Sequence, residues 1–272
     1  MVTGFVYKHF SAGAYFNMAC DEWMFIRSLQ QPGSVFLRLY TWREGAITFG
    51  YNQCVESAID LEKAGTVPVI RRVTGGRAVF HDTAELTYSL VVNQTGLECS
   101  KLCGSVSRTS HEIAVAVSQF LASRGLRAVI ARPGSPLRRR PTDFHSAPCF
   151  ESTARSEISV SGRKVAAAAQ RRIGPALLQH GSLKLSGNPP HPALRGAAET
   201  ALPSMNPVSR PEFDSASHDF MGSFSDWLGL DLAPALLSRA DLTQVHRREL
   251  EIQKNPLDPR QIIKQNTSET SP

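Results

Sequence analysis

The sequence predicts an α+β fold in which mixed or antiparallel β-sheets are flanked by helices. Three observations predict it. Strand-forming segments come in runs instead of alternating with helices as βαβ units would require. Two amphipathic stretches, 14–29 and 105–126, stand apart from those runs. A Ser-Gly pair at 161–162 sits between two strand-like halves in a hairpin pattern.

The first helix, AYFNMACDEWMFIRSL (Ala14 to Leu29), sets Phe16, Ala19, Trp23 and Ile26 three or four positions apart, and Pro32-Gly33 stops it. VFLRLYTW (35–42) is rich in β-formers, and AITFGY (46–51) follows after Arg-Glu-Gly, which predicts a hairpin between them. VPVIRR (67–72), AVF (78–80) and LTYSLVV (86–92) are further strands. The second helix carries Ile113, Val117, Phe120 and Leu121 on one face, and Gly125 closes it. RAVIA (127–131) is strand-like, a proline- and arginine-rich loop runs to about Ser146, and EISVSGRKVAAAA (157–169) is the hairpin. ALLQHGSLKL (176–185) is another strand, NPPHPALRG a loop, and 212–230 a helix with Phe213, Phe220, Phe224 and Trp227 near one face. The predicted organisation is one catalytic domain over 1–250 and a polar, frayed tail over 251–272.

The 272 residues are 42% hydrophobic and 20% charged, which suits an ordinary globular protein. There is no apolar run of roughly 18 residues and no basic-then-apolar leader, so the expectation is a cytoplasmic protein without a membrane partner. The net charge of +6 would steer nucleic acid or an acidic protein equally well. No Lys/Arg tract is interleaved with aromatics, which disfavours nucleic acid, and the densest basic stretch, Leu137 to Pro141, reads as a solvated loop. Cysteines at 20, 54, 99, 103 and 149 contain no CxxC, favouring neither a disulfide framework nor a zinc site, so no metal is expected.

Candidate chemistry concentrates in RRVTGGRAVFHD (71–82). It is no P-loop and no dinucleotide fingerprint. A strand broken by glycines with arginine flanks suggests an anion or acyl-carrier pocket, or else a β-bulge with exposed arginines. His81-Asp82 is an oriented imidazole or a turn, His180 lies between two strand-like halves, and no histidine has metal-ligand spacing. Cys149, in SAPCFES, lies in a loop just before the hairpin, with Lys164 just past its turn. A cation near a thiol lowers its pKa from about 8.5 and supplies the nucleophilic thiolate.

Five segments in order resemble the biotin/lipoate protein ligase and octanoyltransferase superfamily: NMACDEWMF (17–25), ITFGYNQ (47–53), RRVTGGRAVFHDTAELTYSLV (71–91), GRKVAAAAQRR (162–172) and LLQHGSLKL (177–185). Within it the chain looks most like the cysteine-dependent protein octanoyltransferases, because GGR with Arg77 stands where ligases usually carry a third glycine, and PCFES resembles the segment that holds the acyl-accepting cysteine. The resemblance implies the biotin/lipoate ligase catalytic fold, with Cys149 as nucleophile and Lys164 as its cationic partner. It implies substrate contacts at Arg72, Thr74, Gly75, Gly76, Arg77, His81, Ala167, Ala168 and His180. One departure stands out: four alanines, 166–169, occupy positions where the family commonly has small residues including Gly and Ser.

The implied reaction moves an octanoyl group from acyl carrier protein, through a cysteine thioester, to a lysine of a lipoyl-accepting domain. The donor is already activated, so no ATP and no cofactor are expected. Arg71, Arg72 and residues 138–140 would meet the acidic carrier and acceptor domains. An ATP-dependent lipoate ligase and an amidotransferase that shuttles octanoyl between lipoyl-domain proteins are the alternatives.

Overall fold

The computed structural model describes residues 2–131, 157–184, 191–195 and 206–258. β1 (Val2–Ala12) leads into α1 (Ala14–Leu29), followed by β2 (Val35–Trp42), β3 (Ala46–Phe49) and the single-turn helices α2 (Val55–Ala58) and α3 (Leu61–Ala64). β4 (Val69–Arg71), β5 (Val79–His81) and β6 (Leu86–Asn93) precede α4 (Val106–Ser123) and β7 (Ala128–Ile130). Then come β8 (Ile158–Val160), β9 (Arg163–Ile173), β10 (Ala176–Leu183), α5 (Arg210–Leu228), β11 (Leu230–Pro234) and α6 (Arg239–Lys254).

Among the described residues the strands form an eight-stranded sheet, in the order β11-β1-β2-β6-β10-β9-β8-β7, and a three-stranded sheet, β4-β3-β5. β1 is parallel to both its neighbours, and every pairing from β2 across to β7 is antiparallel. This is the α+β architecture that the sequence predicts.

The period-two alternation of β6 and β10 decides what each face of the large sheet does. Leu86, Tyr88, Leu90 and Val92, with Leu177 and Leu183, pack against Phe120 of α4 and Phe220 and Phe224 of α5. Phe220 and Phe224 stack at 4.3 Å, and Tyr88 meets both. Each fully buried aromatic or aliphatic side chain of this kind contributes about 1.5–3 kcal/mol. The opposite face presents Phe36, Tyr40, Trp42, Val91 and Leu178 to α1 and α6. That second face also turns Thr87, His180 and Ser182 toward the three-stranded sheet, which frees polar side chains for a site. The Phe core therefore holds the sheet while its other face carries chemistry.

Local signals explain where the elements end. Gly125, at φ +77, closes α4 with Gly125 N–H on Ala122 O and Leu126 N–H on Leu121 O, both 2.9 Å. Ser161 and Gly162, at φ 50 and 74, form the left-handed turn between β8 and β9. Ser209 with Glu212 caps α5, and Ser238 with Asp241 caps α6.

Three expectations are corrected. The hairpin between 35–42 and 46–51 does not form, because β1 and β6 already occupy both edges of β2; β3 instead pairs with β4 and β5. Arg71 and Arg72 do not face partners: both are buried and donate to main-chain carbonyls. The expected boundary at 251 falls inside α6, which runs to Lys254 with Ile252 buried. Residues 259–272, the 138–140 cluster and Cys149 lie outside the described residues.

Candidate active site

The large sheet and the three-stranded sheet enclose a cleft of about 440 Å³, its open mouth included. Met18 of α1, Tyr40 of β2, Thr87 of β6, Ala167–Ala169 of β9 and His180–Ser182 of β10 form one side. Thr48 of β3, Arg72, Gly76, Val79 and His81 form the other.

Close approach explains the signature glycines. A Cβ on Gly50 would sit 2.0 Å from Gly76 O, so the 74–77 loop seats directly on that glycine. Gly76 adopts φ +87, and a Cβ there would meet Arg72 Nη2 at 2.7 Å. Arg72 is the loop's internal strut. Its Nε and Nη2 donate to Gly75 O at 3.1 and 2.6 Å, Nη2 donates to Arg77 O at 2.8 Å, and Nη1 reaches Thr48 Oγ1 at 3.3 Å. Arg71 fastens the outside of the same sheet, donating to the carbonyls of Gly50, Tyr51, Gln53 and Leu257. An arginine has five donors in a fixed fork, which suits both tasks. The charge beside the core is consumed by backbone carbonyls.

Two buried imidazoles line the cleft, each oriented by a carboxylate. His180 Nδ1 lies 3.2 Å from Asp21 Oδ2, and its Nε2 lies 2.5 Å from Thr74 Oγ1. Asp21 also receives Arg38 Nη1 at 2.9 Å and the Tyr40 hydroxyl at 3.0 Å. Burial alone would raise the Asp21 pKa, but the His180 hydrogen bond and Arg38 outweigh it and hold the carboxyl below its usual range. On the other side, His81 Nδ1 lies 2.7 Å from Glu85 Oε1 and Nε2 lies 2.8 Å from Thr48 Oγ1. Trp42 stacks on the His81 ring at 4.1 Å. Glu85 also accepts from Thr87 and Ser182 at 2.7 and 2.9 Å, with Lys184 Nζ 3.2 Å from its second oxygen. Burial pushes the His81 pKa down, helped by Lys184 and Arg72 and opposed by Glu85, so the imidazole is neutral. Burial would push Glu85 up, but its cationic neighbours and hydroxyl donors hold it ionised.

The structure thus brings Arg72, Gly76, His81, Ala167, Ala168 and His180 to one cleft. Thr74 holds His180, while Gly75 and Arg77 supply carbonyls to Arg72. Lys164, on β9 three residues before Ala167, lies 2.6 Å from Glu157 Oε1. Sequence reasoning missed Asp21, Thr48, Glu85, Ser182 and Glu157. A signal existed for Asp21, which with Glu22 puts two carboxylates into a largely apolar helix, and none for Thr48 or Ser182, whose partners lie far along the chain. Among the described residues no cluster of His, Cys, Asp and Glu suits a metal ion, and no helix is long and apolar enough to cross a membrane.

Comparison with known proteins decides the family. The lipoyl protein ligase A/B catalytic domain matches residues 13–209. Octanoyltransferase LipM of Symbiobacterium thermophilum is 33% identical over 243 residues, 83% of this chain and 86% of that protein. The chain belongs to the lipoyl protein ligase A/B family, on its octanoyltransferase side. Within it, Octanoyltransferase LipM of Carboxydothermus hydrogenoformans is 38% identical over 178 residues, 64% of this chain and 62% of that protein. Bacillus subtilis LipM is 29% identical over 254 residues, 87% and 90% of the two chains. The solved structure of lipoate-protein ligase A bound with ATP superposes with a TM-score of 0.70 at 21% identity, covering 92% of this chain and 94% of that one. A structure from an archaeal lipoylation system of Thermoplasma acidophilum, described as a bi-partite lipoate protein ligase and its E2 lipoyl domain, gives 0.66 at 20%, covering 92% of each. At those identities the structures establish the family's fold, the one expected from the signature segments.

Proposed function

We propose that this acyltransferase moves an octanoyl group from acyl carrier protein, through a thioester on Cys149, to a lysine of a lipoyl-accepting domain, in the cytoplasm. The reading is supported chiefly by the similarity to curated octanoyltransferases along most of the chain. The cleft adds support, since small side chains on β9 and the signature loop leave a slot for an unbranched chain. We further propose that β1 through α6 act as one catalytic domain.

In this mechanism the Cys149 thiolate attacks the octanoyl thioester and the carrier thiol leaves. The acceptor amine then attacks the acyl-enzyme, forming a C–N bond as the C–S bond breaks. The exchange of thioesters is nearly isoenergetic, and the amide is the stable product. Eight carbons buried at about 0.8 kcal/mol per methylene hold the chain while carriers exchange. Lys164 supplies positive potential where oxyanion charge develops, a contribution of about 3 kcal/mol for one well-placed donor, and Glu157 fixes where that ammonium sits.

The test is amide formation on an apo lipoyl domain with octanoyl-carrier protein as donor and no ATP. Full transfer is expected. Transfer that requires octanoate and ATP would make the chain a ligase. Transfer only from an octanoylated lipoyl-domain protein would make it an amidotransferase.

A further inference from the structure

A lysine amine cannot attack a thioester while protonated, and at pH 7 a free lysine, with a pKa of about 10.4, is almost wholly an ammonium. A base in the cleft that accepts that proton would make the lysine reactive at neutral pH. Among the described residues lining the cleft, four carry an ionisable side chain: Tyr40, Arg72, His81 and His180. Arg72 is a permanent cation. Tyr40 has its pKa raised well above 10 by burial and by Asp21, to which it donates. His180 directs Nε2 to Thr74, a residue outside the lining. His81 is left.

Its tautomer follows from its partners. Glu85 is ionised and only accepts, so His81 Nδ1 carries the hydrogen. Thr48 Oγ1 receives Arg72 Nη1, so its own hydrogen is available to His81 Nε2, which is the basic nitrogen. Thr48 itself lines the cleft, so Nε2 is one hydroxyl or less from an incoming amine. The groups facing this imidazole are Glu85 and Thr87 before and on β6, Ser182 and Lys184 on and after β10, Arg72 on the signature loop, and Trp42 on β2. An imidazolium formed there gains Glu85 as its counter-ion. This is a base held in place by a carboxylate, the arrangement general-base catalysis requires.

We infer that His81 accepts the proton of the acceptor lysine during octanoyl transfer, directly or through the Thr48 hydroxyl, and that Glu85 is its positioning residue. This deepens the proposed function and rests on it for the acyl group. The lysine ammonium gives one proton to His81 Nε2; the amine forms the C–N bond as the C–S bond breaks; the departing sulfur takes the second proton. His81 then returns its proton to solvent, leaving an amide N–H and a free thiol.

The experiment compares two acceptors on the octanoyl-loaded protein: the lysine of a lipoyl domain, and hydroxylamine, which is unprotonated at neutral pH and needs no base. In His81→Gln, with both rates read from the same preloaded acyl-protein, transfer to lysine should fall roughly a hundredfold further at pH 7 than transfer to hydroxylamine does, and the gap between the two acceptors should close as pH rises. Equal loss toward both acceptors, with an unchanged pH profile, would give His81 a purely structural role and overturn the inference. The wild-type protein supplies an arm that needs no variant. With a resident base, the lysine-to-hydroxylamine rate ratio stays nearly flat between pH 7 and 9; a tenfold rise per pH unit would mean that solution amine, not His81, does the work. Failure of the wild type to load from a thioester would instead sink the transferase reading. The acceptor comparison then runs with octanoate and ATP and still judges His81.

Discussion

Glu157 Oε1 lies 2.6 Å from Lys164 Nζ, with both side chains more than nine-tenths buried. They face each other across the β8–β9 hairpin, so the turn at Ser161-Gly162 fixes the position of the lysine that precedes the alanine run. Removing one partner of a buried pair costs about 3–5 kcal/mol. Glu157→Gln, which keeps an acceptor oxygen, should lose less, about 1–3 kcal/mol, read as a lowered denaturant midpoint. Lys164→Ala should lower octanoyl transfer by on the order of a hundredfold.

Gly50→Ala tests the seating of the signature loop. Its Cβ would fall 2.0 Å from Gly76 O, so the loop must shift from its seat. Overpacking of this kind costs about 1–3 kcal/mol. Acyl loading should suffer more than thermal stability does; an unimpaired loading rate would mean that the loop position is irrelevant to binding.

The cleft's small residues set which chains fit. Ala167 and Ala169 line it from β9, so Ala167→Val should discriminate against octanoyl donors while leaving butanoyl donors nearly untouched. Each methylene excluded should cost about 0.8 kcal/mol, roughly fourfold in loading efficiency. Equal loss for both donors would place the chain elsewhere.

Arg71 separates a docking role from a structural one. Buried among the carbonyls of Gly50, Tyr51, Gln53 and Leu257, it should reveal itself in stability: Arg71→Ala lowers the unfolding free energy by roughly 1–3 kcal/mol, read as a lower denaturant midpoint. The salt dependence of carrier association should not change. A weaker salt dependence at unchanged stability would restore the docking role.

Much of this was legible beforehand, and the exceptions have physical causes. α1, α4 and the 157–169 hairpin carry strong local signals in apolar spacing, Gly125 and Ser161-Gly162, and they fold as those signals say. β3 defied its local pattern because strand pairing is settled by which edges are already taken. α6 was hidden because its stripe is thin: Val245, Arg248 and Ile252 are its buried residues, and Arg248 depends on Glu22 of α1, 226 residues away, at 2.6 Å. The signature segment lines the cleft through Arg72, Gly76 and His81, but its arginines turn inward, since charge in a sequence does not say whether carbonyls or solvent will receive it.

Acid should weaken the fold. His9 is lowered to about 3, by burial first and then Arg38, and His81 is lowered by burial, so each binds a proton more readily unfolded than folded below about pH 6.5. Stability is then lost as pH falls below that value, by up to about 1.4 kcal/mol per pH unit for each imidazole. The depressed Asp21 and Glu85 add loss of the same sign once pH drops below their unfolded range. Denaturant midpoints measured from pH 7.5 to 4.5 should hold nearly level to about pH 6.5 and decline below it; a flat profile throughout would refute buried, neutral imidazoles.

Intact-mass analysis after mixing the protein with octanoyl-carrier protein, without ATP, probes the core of the account. The mass should rise by one octanoyl group, map to Cys149, vanish in Cys149→Ala, and fall back when an apo lipoyl domain is added. An unmodified mass in the presence of a chain that still octanoylates the domain would contradict it.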